Sequence, residues 1–124
     1  MLKAVKTGRA PGAVGPYSQA VAGDAILITS GQLPINPETG RIEAKDICGQ
    51  TRQSLENIKA ILDESKKTLS DVMKTTVFLA DIGDFAAMNS VYAEYFKEPY
   101  PARSCFQVAA LPMGAKVEIE VICN

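Results

Sequence analysis

The chain has 124 residues, 47% of them hydrophobic and 22% charged, which is typical of one globular domain with a hydrophobic core. Its formal net charge is −1, so electrostatics gives no reason to expect nucleic acid or anionic lipid as a partner. No apolar run approaches signal-peptide or membrane-spanning length, and we therefore expect a single cytoplasmic domain over residues 1–124.

The residue types also restrict the possible chemistry. The chain has no histidine, and its three cysteines, Cys48, Cys105 and Cys123, are far apart. Scattered thiols without histidine do not match the ligand spacing of zinc sites, and an odd number argues against a disulfide framework. A Ser-His or Cys-His couple is excluded. Any acid–base chemistry therefore falls to carboxylates, lysines, tyrosines or a bound water, and no metal site is predicted.

The first part of the chain is predicted to form three short strands. Leu2–Lys6 is typical of an edge strand, and the glycines and prolines of Gly8–Tyr17 indicate an irregular loop. Ser18–Ala22 and Ala25–Ser30 have strand composition, and Gly23-Asp24 between them predicts a hairpin turn.

Two residues of this part are candidate binding residues. Tyr17 follows Gly-Pro, so its hydroxyl could reach a ligand, although a tyrosine that only covers the sheet edge is equally compatible with the local sequence. Gly31 ends the third strand. Its commonest role there is to relieve backbone geometry, and the functional alternative is that the missing side chain exposes a backbone N–H to a ligand.

Helical periodicity begins at residue 46. Apolar residues recur every three or four positions and predict an amphipathic helix over Asp46–Lys67, followed by a strand over Met73–Ala80. Asp84 has the position of an N-cap for a second helix, Phe85–Phe96, and Asn89 lies at the margin of its apolar stripe, where most asparagines face solvent.

The chain closes with two predicted strands, Ala102–Ala110 and Lys116–Cys123, that carry ionisable groups on one face. Arg103 and Cys105 share a face of the first strand, and Glu118 and Glu120 share a face of the second. A covered charge must be paired or hydrogen-bonded, so this charged face is the first candidate for a site. The alternative is that Arg103 only pairs with Glu118 or Glu120 to neutralise the sheet.

The element order β–β–β–α–β–α–β–β predicts an α+β fold, a mixed sheet with both helices on one face. The other face is too apolar for the surface of a monomer, so association with further copies is expected. In such an assembly Arg103, Glu118 and Glu120 would lie in or beside a subunit interface. Proximity in sequence predicts that the two terminal strands pair as a hairpin.

Six segments in the right order resemble the RidA (YjgF/YER057c-like) family of reactive enamine/imine deaminases, and together they cover nearly the whole chain. They are GPYSQA (Gly15–Ala20), ITSGQLPINPETG (Ile28–Gly40), TRQSLENIKAIL (Thr51–Leu62), KTTVFLAD (Lys74–Asp81), FAAMNSVYAEYF (Phe85–Phe96) and PARSCFQVAALPMGAKVEIE (Pro101–Glu120). The resemblance implies a chorismate-mutase-like homotrimer with sites in the clefts between subunits. It also implies that the last strand lies between the first core strand and the strand after the long helix.

The resemblance implies residue roles as well. It places the carboxylate of a small 2-imino or 2-keto acid on Arg103, whose planar guanidinium can bind a carboxylate through two parallel hydrogen bonds. Glu118 would hold or deprotonate the attacking water. The remaining contacts implied are Tyr17, Gly31, Asn89 and Cys105, the last providing shape and backbone hydrogen bonding instead of a nucleophile.

The activity implied is hydrolytic deamination of reactive 2-enamine and 2-imine acids, such as 2-aminoacrylate and 2-aminocrotonate, to 2-keto acids and ammonia, with no cofactor. Two alternatives stay open. One is a non-catalytic trimer that binds keto acids or acts as a chaperone. The other is an RNA-cleaving translation inhibitor, which the missing histidine and the net charge of −1 disfavour.

Overall fold

The fold is a six-stranded mixed sheet with two α-helices, described for all residues 1–124 by a computed structural model. The strands are β1 (Lys3–Val5), β2 (Ala20–Ala22), β3 (Leu27–Thr29), β4 (Val72–Leu79), β5 (Ala102–Gln107) and β6 (Val117–Cys123); the helices are α1 (Ile47–Glu64) and α2 (Phe85–Tyr95). The predicted α+β class and element order are confirmed. No helix is both long enough and apolar enough to cross a membrane.

The strand order is β1-β2-β3-β6-β4-β5, with β4 and β5 parallel and all other neighbours antiparallel. The terminal hairpin expected from sequence proximity is therefore wrong, whereas the placement of the last strand implied by the family resemblance is confirmed. The burial of the two strands gives the physical reason. Alternate residues of β6, from Val117 to Cys123, are at most 1% exposed, but no residue of β5 is fully buried. A central position for β6 removes more apolar surface from water than an edge position would.

Both helices pack on the same face of this sheet. The core cluster joins Leu55 and Ile58 of α1 and Met88 of α2 to Val77 of β4 and Ile119 of β6. These side chains are all shielded from solvent, and their positions follow the three- and four-residue apolar spacing of the helices and the alternation of the strands. The core therefore lies between the sheet and the two helices, and the opposite sheet face is left without a covering layer.

The helix ends differ in detail from the predictions. Asp46 caps α1 as expected, because its carboxylate accepts a hydrogen bond of 2.8 Å from the Gly49 N–H. The helix ends at Glu64 instead of Lys67, since Lys66 adopts a left-handed φ of 58°. Asp84 is the N-cap residue of α2 as predicted, but its side chain makes no capping hydrogen bond.

The open face of the sheet is apolar in its middle. Ile28 of β3 is 53% exposed and Phe106 of β5 is 46% exposed. Ile122 lies opposite Ile28 in the register, and the Phe78 ring meets the Phe106 ring edge to face with centroids 5.4 Å apart. A contiguous apolar surface of this kind is a common mark of an association surface.

Candidate active site

Arg103 lies at the edge of the sheet on the face that the helices cover. The parallel register of β4 and β5 places it opposite Thr75, a fully buried residue. Its Nη1 donates a hydrogen bond of 2.6 Å to Oδ1 of Asn89 on α2. The guanidinium carbon also lies 4.7 Å from the ring centroid of Tyr92 and 5.4 Å from that of Phe85. The guanidinium is thus held by one amide and two aromatic rings.

Arg103 makes no ion pair in the folded chain. Glu118 lies opposite Phe78 in the register of β6 with β4, and both it and Glu120 therefore project from the open face. The expectation that the three charges share one face is wrong, and so is the alternative that Arg103 neutralises Glu118 or Glu120. The reason is that β4 separates the two strands, and its registers place Arg103 and Glu118 on opposite sides of the sheet.

The surroundings of Arg103 form an open cleft of about 500 Å³, lined by Asn89, Tyr92, Ala93, Tyr100, Pro101 and Arg103. Cys105 follows two residues later on the same face of β5. Burial raises the pKa of the Cys105 thiol, with the charge of Arg103 acting in the opposite direction, and the thiol is therefore protonated near neutral pH. We call Asn89, Arg103 and Cys105 the arginine half-site.

A second group of predicted residues assembles around Glu118 on the open side. The backbones of Gln32 and Ile119 exchange hydrogen bonds of 2.7 and 3.1 Å, which places Gly31 beside Glu118. A Cβ added to Gly31 would overlap the Glu118 carboxylate. Burial, and to a lesser extent the charge of Glu120, raises the pKa of Glu118 above its ordinary value.

Tyr17 lies near Gly31, and both line a cavity of about 440 Å³ between the loop before β2 and the loop after β3. Tyr17 is 52% exposed, and its hydroxyl accepts a hydrogen bond of 3.3 Å from the Val14 N–H. The ring therefore faces this open cavity. We call Tyr17, Gly31 and Glu118 the glutamate half-site.

One buried residue that holds this half-site was missed by the sequence reasoning. Gln19 is 3% exposed, and its Nε2 donates to the carbonyl oxygens of Thr7, Ala10 and Pro11 at 3.0, 3.3 and 2.7 Å. Its Oε1 accepts a hydrogen bond of 2.8 Å from the Thr7 N–H. Gln19 thereby fixes the loop that carries Tyr17. The only local signal was a glutamine at the start of a short strand, within the segment GPYSQA.

The structure brings the predicted site residues together in two groups, not one. Arg103 lies on the helix-covered face and Glu118, beside Gly31, on the open face. The cavity lined by Tyr17 and Gly31 shares no lining residue with the cleft of Arg103. A sheet thus separates Arg103 from Glu118 within one chain. The chain also brings together no group of three or more His, Cys, Asp or Glu side chains that could hold a metal ion.

Residues 7–124 match the family described as Endoribonuclease L-PSP. The 2-iminobutanoate/2-iminopropanoate deaminase of Escherichia coli strain K12 is 48% identical over 125 residues, 98% of this chain and 97% of that protein. The chain belongs to this family, the RidA family.

Two solved structures agree with the RidA assignment. The Rid-family protein YyfA of Yersinia pestis has a TM-score of 0.97 at 48% identity and covers 100% of this chain and 99% of its own. E. coli TdcF, solved with bound serine, has a TM-score of 0.92 at 49% identity, and the match covers 98% of this chain and 97% of the TdcF chain.

Proposed function

We propose that this RidA-family protein hydrolyses reactive 2-enamine acids such as 2-aminoacrylate and 2-aminocrotonate, through their 2-imine tautomers, to 2-keto acids and ammonia. The observation that carries the proposal is the state of Arg103. Its guanidinium faces a cleft, has no carboxylate partner, and keeps its remaining N–H donors free beyond the bond to Asn89. A positioned, unpaired guanidinium is the preferred anchor for a planar carboxylate.

The chemistry requires little more than orientation and a positioned water. Protonation of the enamine at C3 with loss of a proton from nitrogen gives the imine, whose C2 is electrophilic. Water attacks C2, the electron pair of the C=N bond moves to nitrogen, and the resulting carbinolamine collapses to the keto acid with loss of ammonia. Glu118 accepts a proton from the water and returns it to the departing nitrogen. Cys105 remains a protonated thiol that shapes the site.

The site as proposed uses two copies of the chain. Arg103 and Glu118 lie on opposite faces of one sheet, so a substrate can contact both only if they come from different copies. The open apolar face around Ile28 and Phe106 provides the surface for association, and we propose a homotrimer with a site in each cleft. The serine bound by TdcF supports a ligand of amino-acid size, and the name of the E. coli relative supports the reaction.

The decisive experiment is a coupled assay. A threonine or serine dehydratase generates the enamine, and keto-acid release is followed with and without this protein. We expect faster release in its presence. Binding of pyruvate without any acceleration would instead identify a keto-acid-binding protein. RNA binding that is tight and falls steeply with salt, together with RNA cleavage, would favour the endoribonuclease activity in the family description.

Assembly gives the first prediction. Sedimentation equilibrium at micromolar concentration should return about three times the 13.3 kDa chain mass, because the open sheet face is too apolar to stay exposed. Ile28→Asp places a charge in the middle of that face and should shift the protein towards the monomer and abolish deamination. A wild-type chain that sediments as a stable monomer would contradict both the trimer and the shared site.

Gly31→Ala gives the second prediction. The new Cβ would occupy the position of the Glu118 carboxylate, which ends a flexible side chain and can move aside. Stability should therefore change little, whereas turnover should fall roughly 10- to 100-fold because the water-directing group is misplaced. Gly8→Ala is the matched control, since a Cβ there meets no atom within 4 Å. Unchanged turnover in Gly31→Ala, measured beside thermal unfolding, would show that the position of Glu118 is unimportant.

A further inference from the structure

We propose that Tyr92 is a positioning residue, which holds the guanidinium of Arg103 in the orientation that receives a substrate carboxylate. The inference rests on the proposed function and adds a residue to it. Tyr92 belongs to the apolar stripe of α2, and nothing in the sequence distinguishes it from an ordinary core residue. Its contacts with Arg103 and Thr75 in the folded chain do distinguish it from an ordinary core residue.

Tyr92 is fixed from three sides. The residue is 7% exposed, and its ring packs against that of Phe96, with centroids 4.5 Å apart. Its hydroxyl lies 2.9 Å from the hydroxyl of Thr75, a residue with no exposed surface. On the third side lies the guanidinium of Arg103, whose carbon is 4.7 Å from the ring centroid of Tyr92. A ring that is packed, hydrogen-bonded and buried cannot turn away from the guanidinium without breaking these contacts.

The strand register explains why these groups meet. Thr75 and Arg103 are direct partners in the parallel pairing of β4 and β5, so their side chains project side by side. Thr75 holds the hydroxyl of Tyr92, and Tyr92 presents its ring to the neighbouring Arg103. The sheet therefore holds Thr75, the hydroxyl of Thr75 holds Tyr92, and the ring of Tyr92 holds the guanidinium of Arg103.

The contact matters because arginine is a long, flexible side chain. A free arginine loses considerable rotamer entropy when it binds a carboxylate, and preorganisation reduces that loss. Asn89 holds Nη1 at one end of the guanidinium, and the Tyr92 ring supports its carbon. Two contacts on different parts of a planar group restrict its orientation as well as its position. Phe85 contributes less, because it is farther away at 5.4 Å and lies near the surface.

Tyr92 does not act as an acid or base in this scheme. Burial raises the pKa of its phenol, against the opposing effects of the Thr75 hydrogen bond and the charge of Arg103. The phenol is therefore protonated near neutral pH, and its contribution is the ring face and the locked hydroxyl. A ring that supports a cation within ~6 Å of its centroid has the geometry of a cation–π contact.

The test compares three variants by calorimetric titration with pyruvate. Tyr92→Leu removes the ring and should weaken pyruvate binding ~2- to 30-fold, the range expected for loss of a cation–π contact. Tyr92→Phe restores the ring but not the hydrogen bond to Thr75, so it should recover only part of that affinity, to the level of Thr75→Val. Tyr95→Leu is the matched control on the same helix, because Tyr95 has its own cation, Lys59, 5.8 Å from its ring but makes no contact with Arg103. It should bind pyruvate as the wild type does.

A second readout reports on Arg103 directly. Its side-chain NMR signals should show ring-current shifts in the wild type and in Tyr92→Phe, and in Tyr92→Leu these shifts should fall to the smaller contribution of the Phe85 ring. If Tyr92→Leu does not fold, Thr75→Val replaces it: this near-isosteric change removes only the hydroxyl that holds Tyr92, and it should alter the same signals and weaken pyruvate binding. In the coupled assay a positioning defect should raise KM more than it lowers kcat.

The possible failures can be told apart. If pyruvate binds but the wild type does not accelerate deamination, the proposed function fails, and the pyruvate affinities of the variants still decide the role of Tyr92. If the wild type is active and a folded Tyr92→Leu or Thr75→Val variant binds pyruvate as tightly as the wild type, the positioning role is overturned. Equal weakening by Tyr92→Leu and Tyr95→Leu overturns it too, because that outcome reflects general damage to α2.

Discussion

Arg103→Ala should abolish pyruvate binding and deamination together. The side chain provides the carboxylate anchor of the proposed site and is held ready by Asn89 at 2.6 Å. Loss of two charge-assisted hydrogen bonds should weaken binding ~10²-fold or more. Arg103→Lys keeps the charge but loses the planar fork, and it should recover little of the affinity. Calorimetry and the coupled assay on the same preparations give both numbers.

The chain offers a matched control for this change. Arg52 lies on α1 and forms an exposed ion pair of 2.8 Å with Glu94 of α2, away from both half-sites. Exposed pairs of this kind contribute little to stability, so Arg52→Ala should fold, bind pyruvate and turn over substrate as the wild type does. If Arg103→Ala binds pyruvate with wild-type affinity, the carboxylate has another anchor and the proposed orientation of the substrate is wrong.

Local patterns in the sequence were sufficient to predict which segments of this chain form strands and which form helices. The alternation of Val117 and Ile119 with Glu118 identified a strand with one buried face, and Asp46 marked the start of α1 correctly. Both signals act over a few residues, where backbone geometry and burial dictate the pattern. The early end of α1 depended on the left-handed conformation of Lys66, which a residue other than glycine rarely adopts and composition did not reveal.

The arrangement of the site could not be read in the same way. Whether Arg103 and Glu118 share a face depends on the strand between them, and hence on a pairing between residues far apart in the chain. Alternation fixes the faces within each strand but not the phase between two strands that do not touch. Tyr92 and Gln19 were hidden for a related reason. Each has an ordinary local context, and its role follows only from the partners that the tertiary fold brings to it.

Glu118→Gln should separate binding from catalysis. The amide keeps the shape of the side chain but is a poor base, so pyruvate should bind with similar affinity while turnover falls ~10²-fold or more. The pH dependence gives a further check. A base must be deprotonated to act, and burial and Glu120 raise the pKa of Glu118. The wild-type rate should therefore rise with pH through a value above the ordinary glutamate range, and this rise should be absent in Glu118→Gln. Normal turnover in the variant would leave Glu118 as a structural partner only.

The same variant also tests whether a site is shared between chains. Arg103→Ala and Glu118→Gln chains are each defective in one half-site, and these half-sites lie on opposite faces of the sheet. If equal amounts are unfolded and refolded together, about a quarter of the clefts should combine an intact arginine half-site from one chain with an intact glutamate half-site from another. Activity should therefore return to about a quarter of the wild-type level, although each variant refolded alone is inactive. A mixture that stays inactive despite forming mixed trimers, verified by native mass spectrometry, would place both groups of every site in a single chain.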